Sequence, residues 1–425
     1  MPSAADPTDD SAVTYRPVNE TDLRACGLDR LDLAWLRRKT GVKWARVAPD
    51  VLPAWIADMD FPVAPPVLNA LTDTLKRGDL GYPAWSNWMG PDPLAEDFTA
   101  RMALYQWAPE PDWVRSFSDI IQAIQIVIQT MTEPGDGVVV QTPSYPPFLK
   151  TVTMMGRRAV ADPIERTDAG WSFDLQRLRR TIARERPRVL IIVNPHNPTG
   201  RVFTRTELEE LAEIAITNDM VVVADEVLAD LAFAPHRHIP IASLSSEIAA
   251  RTITMTSATK AFNFAGLRCA VTHIGPVELR DAIDAAPPDV FGVVNVLGIE
   301  ATKAAWRDGD DWLDAVRNRL RQNRDIVCDS IVQRMPTLGC DPPEANYLLW
   351  LDCGRLQKDD PALFFRDAAR VELSTGKTFG PGCGDFVRLN FATAPGILAE
   401  ILNRMTAAVA ESVHTGGPSY NAESQ

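Results

Sequence analysis

The chain has no apolar run approaching the roughly 20 residues that a membrane-spanning helix needs, so no bilayer crossing is expected. It also lacks runs of like charge and any basic patch: Lys and Arg number 43 against 56 Asp and Glu, a formal net charge of -13. Such a balance repels a phosphate backbone, which removes nucleic acid from the expected partners. Paired cysteine spacing is missing too. Cys26, Cys269, Cys328, Cys340, Cys353 and Cys383 are scattered through a chain too large to need disulfide staples, and they read as free thiols in a reducing compartment. The acidic opening from Met1 to Asp10 has neither the basic start nor the apolar core of a secretory signal, so the expected location is cytoplasmic.

What is present is an ordinary globular composition, 46% hydrophobic and 23% charged over 425 residues, enough for two or three domains. No repeat or low-complexity linker separates them. Residues 1–13 and 413–425 are polar and rich in small side chains, so both are expected to be disordered. Residues 14–50 are expected to pack with a small domain at 301–412, and 51–300 to form a large one. The middle of the chain alternates β-branched runs with helical patterns. Gly137 to Gln141, Arg188 to Val193, Met220 to Ala224 and Thr252 to Thr256 read as strands. Between the second and third, Thr204 precedes Glu207 as in a capping box, and Leu208, Leu211, Ala212 and Ala215 share one helical face. Near-continuous apolar strands separated by helices predict an α/β fold with a mostly parallel sheet covered on both faces. After about Asp310 come a long helical pattern to Arg334, strands at Asn346 to Asp352 and Asp385 to Asn390, and a helix near Pro361 to Arg370. That texture predicts a smaller α+β domain.

Ligands of open parallel sheets bind beyond the carboxyl ends of the strands. Three successive units deliver reactive groups there: Asn194-Pro195-His196-Asn197-Pro198-Thr199-Gly200, Ala224-Asp225-Glu226 and Ser257-Ala258-Thr259-Lys260. Taken singly they are a turn, a helix cap and a surface lysine. Their spacing changes the reading. Asn197 to Asp225 is 28 residues and Asp225 to Lys260 is 35, each about one strand, helix, strand unit, so all three can converge on one ligand.

With these motifs the sequence resembles the pyridoxal-phosphate (PLP) enzymes of aminotransferase class I/II, fold type I, and within them the cystathionine β-lyases and cysteine-S-conjugate β-lyases. The resemblance runs from Trp55-Ile56-Ala57-Asp58-Met59-Asp60-Phe61 through Gly81-Tyr82 and Thr142-Pro143-Ser144-Tyr145-Pro146-Pro147-Phe148 to His238-Ile239-Pro240 and Phe386-Val387-Arg388-Leu389-Asn390. It implies a large domain with a seven-stranded, mostly parallel sheet between helices, and a homodimer with active sites at the interface. It also implies roles for single residues. Lys260 is the amine that holds the PLP aldehyde and then acts as the base at Cα. Asp225 keeps the pyridine nitrogen protonated, Asn197 donates to the ring hydroxyl oxygen, and Tyr145 stacks on the ring. Ser257, Arg268, the amides of Ile120 and Ile121 and a partner subunit's Tyr82 hold the phosphate. Arg388, with Asn346, binds the substrate, the guanidinium gripping its α-carboxylate.

The reaction implied is β-elimination from a cysteine S-conjugate, cystathionine-like or S-glycosylated, to a thiol, pyruvate and ammonia. Aminotransfer, decarboxylation-coupled oxidative deamination in a lincosamide-type antibiotic pathway, and a regulatory binding protein that retains PLP are the alternatives. Three positions depart from the lyase pattern: Leu228 replaces a histidine, Asp119 a glycine or serine beside the phosphate, and Arg268 a glutamine or threonine. No metal is expected, since His236 and His238 lack neighbouring Cys or Glu at ligand spacing. The Gly380 to Gly384 stretch does not open a helix after a strand, so it is no dinucleotide loop. Trp35, Trp44, Trp55 and Trp85 are expected in core or dimer packing.

Overall fold

The computed structural model describes residues 27–85, 91–167, 170–287 and 290–415. The expectations for 1–13, for 14–26 with Cys26, and for the tail from 416 onward lie outside the described residues, while 413–415 are the end of the helix Pro395–Thr415 and not part of a disordered tail. In chain order a short β1 (Leu52–Pro53) is followed by β2 (Val114–Phe117), β3 (Gly137–Thr142), β4 (Arg158–Thr167), β5 (Gly170–Phe173), β6 (Val189–Val193), β7 (Val221–Asp225), β8 (Thr252–Thr256) and β9 (Ala270–Ile274). Strands β2 to β9 form one sheet, ordered β2-β9-β8-β7-β6-β3-β4-β5. Pairing is parallel from β4 through β3, β6 and β7 to β8, and antiparallel at β9 and β5.

The sheet therefore has eight strands where seven were expected, which corrects that count. The edge strands β4 and β5 escape the apolar-run criterion because β4 alternates instead: Val160, Asp162 and Ile164 are buried while Ala161, Pro163 and Glu165 are not. The β5 strand is only half-buried throughout. An edge strand with one solvated face carries a weaker signal than a central one.

The central strands β3, β6, β7 and β8 are buried almost throughout because helices cover both faces, and even the threonines of β8 are enclosed. Val138, Val140, Val189 and Ile191 pack on one side with Ile124, Val127 and Ile128 of α1 (Ile120–Met131). Val139, Leu190 and Ile192 pack on the other with Leu208, Leu211 and Ala215 of α2 (Arg205–Thr217). Alternate side chains of one strand thus serve two cores, as the period of two requires. A third core runs from Leu52 and Phe61 through Phe262 and Leu313 to Leu389 and Leu402, so it is continuous across the helical and C-terminal parts of the chain.

The C-terminal part is built on α3 (Asp310–Arg334) and a four-stranded antiparallel sheet of β10 (Gly339–Cys340), β11 (Leu348–Asp352), β13 (Ser374–Thr375) and β14 (Phe386–Asn390), ordered β10-β11-β14-β13. The helix expected from Pro361 is a single turn, Pro361–Phe364, continued by a wider turn over Phe365–Ala369. Beyond it β12 (Val371–Glu372) pairs in parallel with β1, which ties residues 52–53 to the far end of the chain.

The capping box forms as the sequence predicts. The Thr204 hydroxyl accepts from the Glu207 amide at 3.3 Å, and a Glu207 carboxylate oxygen accepts from the Thr204 amide at 2.9 Å. Thr204→Ala removes the cap and is expected to cost about 1 kcal/mol, while Thr204→Asn is expected to retain most of it. The midpoint of urea unfolding, compared between the two variants, checks this.

Candidate active site

The carboxyl ends of β6, β7 and β8 bring the expected groups to one place. Lys260 lies on a one-turn helix, Ala258–Ala261, directly after β8. Its Nζ donates to the Ala57 carbonyl at 2.9 Å and stands 3.9 Å from Asp58 Oδ1. Burial holds the amine below its ordinary pKa; Arg388 acts in the same direction, and Asp58 and Asp225 oppose them. Asp225, the last residue of β7, is buried, and its Oδ1 accepts only the neutral Val227 amide, at 3.1 Å. Burial pushes this carboxyl up to about 7, with Glu226 adding to the rise.

Arg388 on β14 is buried without a carboxylate partner among the described residues. Its Nη1 donates to Asn197 Oδ1 at 3.0 Å, its Nη2 to Ser374 Oγ at 3.4 Å, and its guanidinium lies 5.1 Å from the centre of the Phe379 ring. Its Nε has no partner among the described residues, and burial brings its pKa down to about 10. Asn346 is fully buried in a left-handed backbone conformation, φ 65°. Its Oδ1 accepts from the Leu348 amide at 2.7 Å, and its Nδ2 is left without an acceptor. Tyr145 precedes the helix Pro146–Met154, and burial raises its phenol.

At the amino end of α1 the amides of Ile120 and Ile121 are among those that a helix leaves without an internal acceptor. Asp119 is the cap: its Oδ1 accepts from Gln122 N at 2.8 Å and its Oδ2 pairs with Arg268. Ser257 is engaged locally. Its hydroxyl donates to the Cys269 carbonyl at 2.6 Å and accepts from the Thr259 amide at 3.2 Å, so its one proton is already in use. Tyr82 is 95% exposed and makes no hydrogen bond among the described residues. Leu228 is buried in the apolar core with Leu231 and Phe233, which makes that departure a packing exchange.

These groups fit PLP. A buried carboxyl lacking a cation suits a protonated ring nitrogen, a partly exposed lysine with a depressed pKa suits an aldehyde, and two free helix amides beside Arg268 suit a phosphate. A buried guanidinium lacking an anion suits a substrate carboxylate. Four further residues shape the site. Tyr347 Oη donates to the Ala57 carbonyl at 3.0 Å. Asn390 Nδ2 donates to the carbonyls of Ile56 and Asp58, both at 2.7 Å. Lys43 Nζ donates to the Asp58 carbonyl at 3.0 Å, and the fourth is Asp58 itself. Asn390 had a signal in the sequence, since it lies two residues beyond Arg388 and so on the same strand face.

A carboxyl raised in the folded state binds its proton more tightly there than in the unfolded chain, so cofactor-free protein loses stability as pH rises from about 4 through about 7. Asp225→Asn is therefore expected to raise the melting temperature of the cofactor-free protein at pH 8 and to leave it unchanged near pH 4, while weakening PLP binding. Asp119→Asn keeps a capping oxygen but removes the charge facing the phosphate and frees Arg268. Titration of cofactor-free protein with PLP is expected to show about ten-fold tighter binding for this variant.

Known proteins are similar to this chain in sequence and fold. The family model for aminotransferase class I and II matches residues 97–404. A putative cystathionine beta-lyase of Mycobacterium leprae is 34% identical over 398 residues, covering 89% of this chain and 97% of that one. The solved structure of a putative PLP-dependent beta-cystathionase from Corynebacterium diphtheriae superposes with a TM-score of 0.84 at 31% identity, over 90% of this chain and 99% of that one. The solved structure of OvoB gives 0.83 at 35% identity, over 92% and 99%. The chain belongs to the aminotransferase class I and II family, in its cystathionine β-lyase subgroup.

Proposed function

We propose that this protein is a PLP-dependent carbon–sulfur β-lyase that cleaves a cysteine S-conjugate to a thiol, pyruvate and ammonia. The observation that carries the reading is that Arg388 Nη1 donates at 3.0 Å to Asn197 Oδ1, which follows β6, while Asp225 ends β7 and Lys260 follows β8, so the candidate grip, ring anchor and base share one sheet edge. The relatives named as cystathionine β-lyases support the same bond cleavage.

Bound at this point, PLP supplies a sink for the electron pair left when a bond to Cα breaks. The chain's own residues do the rest. Arg388, oriented by Asn197 and Ser374, holds the substrate carboxylate and fixes which bond of Cα can break. Asp225 keeps a proton on the ring nitrogen. The Lys260 amine, whose lowered pKa leaves more of it as free base, accepts the Cα proton. The sulfur leaves from Cβ as a thiolate, a tolerable leaving group at neutral pH because thiols ionise near roughly 8.5.

The active form is a homodimer in this reading. Tyr82 at 95% exposure, with Leu80, Leu68 and Leu75, presents an apolar surface of the kind that a second subunit covers. Unpaired thiols at Cys269, Cys328, Cys353 and Cys383, all buried, support a reducing compartment such as the cytoplasm. Among the described residues no helix is long and apolar enough to cross a membrane.

Purified enzyme incubated with S-alkyl cysteines is expected to release pyruvate, and borohydride is expected to fix PLP on Lys260. Lys260→Ala should abolish the fixation and lower turnover by at least about 10²–10⁴-fold. Absence of pyruvate from every conjugate tried would overturn the elimination. An oxo acid that keeps the sulfur substituent would indicate aminotransfer instead.

A further inference from the structure

Asp58 has no part in the scheme above, yet the chain goes to unusual lengths to fix it. Its carbonyl accepts two side-chain donors, Asn390 Nδ2 at 2.7 Å and Lys43 Nζ at 3.0 Å, and both donors belong to buried residues. The preceding carbonyl, of Ala57, accepts from Lys260 and Tyr347, and that of Ile56 from Asn390 again. A backbone so clamped aims its side chain in a fixed direction. That side chain ends 3.9 Å from Lys260 Nζ, is 38% exposed, and makes no hydrogen bond among the described residues. Its charge is felt by Lys260, Tyr145 and Tyr347, three groups that line the same site. Of the other cations at the segment, Lys43 is held by the Asp60 carboxylate at 3.0 Å and by the Asp58 carbonyl, and Lys39, which also feels Asp58, donates to the Asp60 carbonyl at 3.2 Å.

We propose that Asp58 is a substrate-docking residue: its carboxylate receives the α-ammonium group of the incoming amino acid, while Arg388 receives the α-carboxylate. The inference rests on the amino-acid substrate of the reading above and names a determinant for it. Two considerations favour an ammonium over other occupants. First, the amine of any amino acid must reach the carbon that Lys260 occupies on the cofactor, so it arrives within reach of a carboxylate 3.9 Å from that nitrogen. Second, a lysine nitrogen committed to the cofactor gives up at least two of its three N–H donors, which leaves Asp58 without the partner it has in the cofactor-free protein. A substrate ammonium, with three donors and a positive charge, replaces it. An α-amino acid then meets one anion and one cation placed for its own two charges, whereas a simple carboxylic acid meets Arg388 and a repulsive Asp58.

The test compares L-alanine, which has no thiolate to lose, with propanoate, the same skeleton without its amine. Both are titrated by calorimetry into PLP-loaded wild type, Asp58→Asn and Asp58→Glu. Asp58→Asn is expected to weaken L-alanine about 10- to 100-fold, the range of a charge-assisted hydrogen bond. Propanoate binding should stay level or tighten, since a repelling charge has gone. Asp58→Glu should restore most of the preference for the amino acid. Equal weakening of both ligands in Asp58→Asn would mean that the residue only supports the fold, and would overturn the proposal. So would a wild type that binds alanine no better than propanoate. Failure of the lyase reading is separate: it appears as no pyruvate from S-alkyl cysteines while the alanine preference and its loss in Asp58→Asn persist.

Discussion

Three consecutive carbonyls, of Ile56, Ala57 and Asp58, hold the distant parts of this molecule in register. Besides the Asp58 amide, which donates to the Ile56 carbonyl at 3.0 Å, their donors are the side chains of Lys43, Lys260, Tyr347 and Asn390, drawn from the N-terminal segment, the turn after β8, the residue before β11 and the end of β14. A bend outside any sheet leaves its carbonyls without ladder partners, and buried carbonyls without donors cost about 1–3 kcal/mol each. Here that requirement is met by side chains from the parts that must meet for the site to exist. Lys260 donates to one of these carbonyls, Arg388 is two residues from the donor to the other two, and Asp58 is displayed between them. The site assembles only when the large sheet, the C-terminal sheet and the segment beginning at Lys43 are docked.

The same segment shows how the chain handles buried charge. Lys43 and Asp60 are both buried and pair at 3.0 Å, and Trp44 Nε1 donates to the same carboxylate oxygen at 2.7 Å. Arg101 and Asp230 repeat the pattern at 2.9 Å beneath the C-terminal helices, with Tyr105 Oη donating to Asp230 at 2.5 Å. In both pairs the charge is answered by an opposite one and a further hydrogen bond, although Asp60 Oδ2 has no partner among the described residues. Asp225 and Arg388 are the contrast, one buried anion and one buried guanidinium, each with neutral partners only. Two unanswered charges of opposite sign around one lysine mark a place built for a ligand that carries both signs.

Much of this was legible in the sequence, because local rules govern it. The β3, β6, β7 and β8 strands lie within a residue or so of their apolar runs, and α2 begins at its capping box. The residues after those strands converge because a parallel sheet puts successive strand ends on one edge. What escaped depends on contacts across long separations. Lys260 and Ala57 are 203 residues apart, and Asn390 and Ile56 are 334 apart, so no periodicity links them. Ser257 shows the reverse case: in the cofactor-free arrangement its hydroxyl caps its own turn and reaches the Cys269 carbonyl, a local use that competes with holding a phosphate. Asp119 likewise fits as a cap, which accounts for a carboxylate at a position where the resemblance leads one to expect glycine or serine.

Glu226, the residue after Asp225, adds to the effect of burial on that carboxyl. Its Oε2 lies 2.9 Å from His238 Nε2, and its Oε1 accepts from the Ile241 amide at 3.3 Å. Asn194 decides which form the imidazole takes. Its Oδ1 accepts from the Phe203 amide at 3.0 Å, so its Nδ2 faces His238 Nδ1 at 3.3 Å. An amide nitrogen offers only donors, so Nδ1 accepts, and the ring proton sits on Nε2 where it is donated to Glu226. The Glu226 charge adds to the burial that raises the proton affinity of Asp225 next to it. By the same sign it favours a cationic N–H held by Asp225. An imidazolium in this place would quench the field. The first asparagine of the Asn-Pro-His-Asn-Pro-Thr-Gly turn on β6 therefore acts through His238 and Glu226 on the carboxyl at the end of the adjacent strand, which gives that turn an electrostatic task besides shaping the loop.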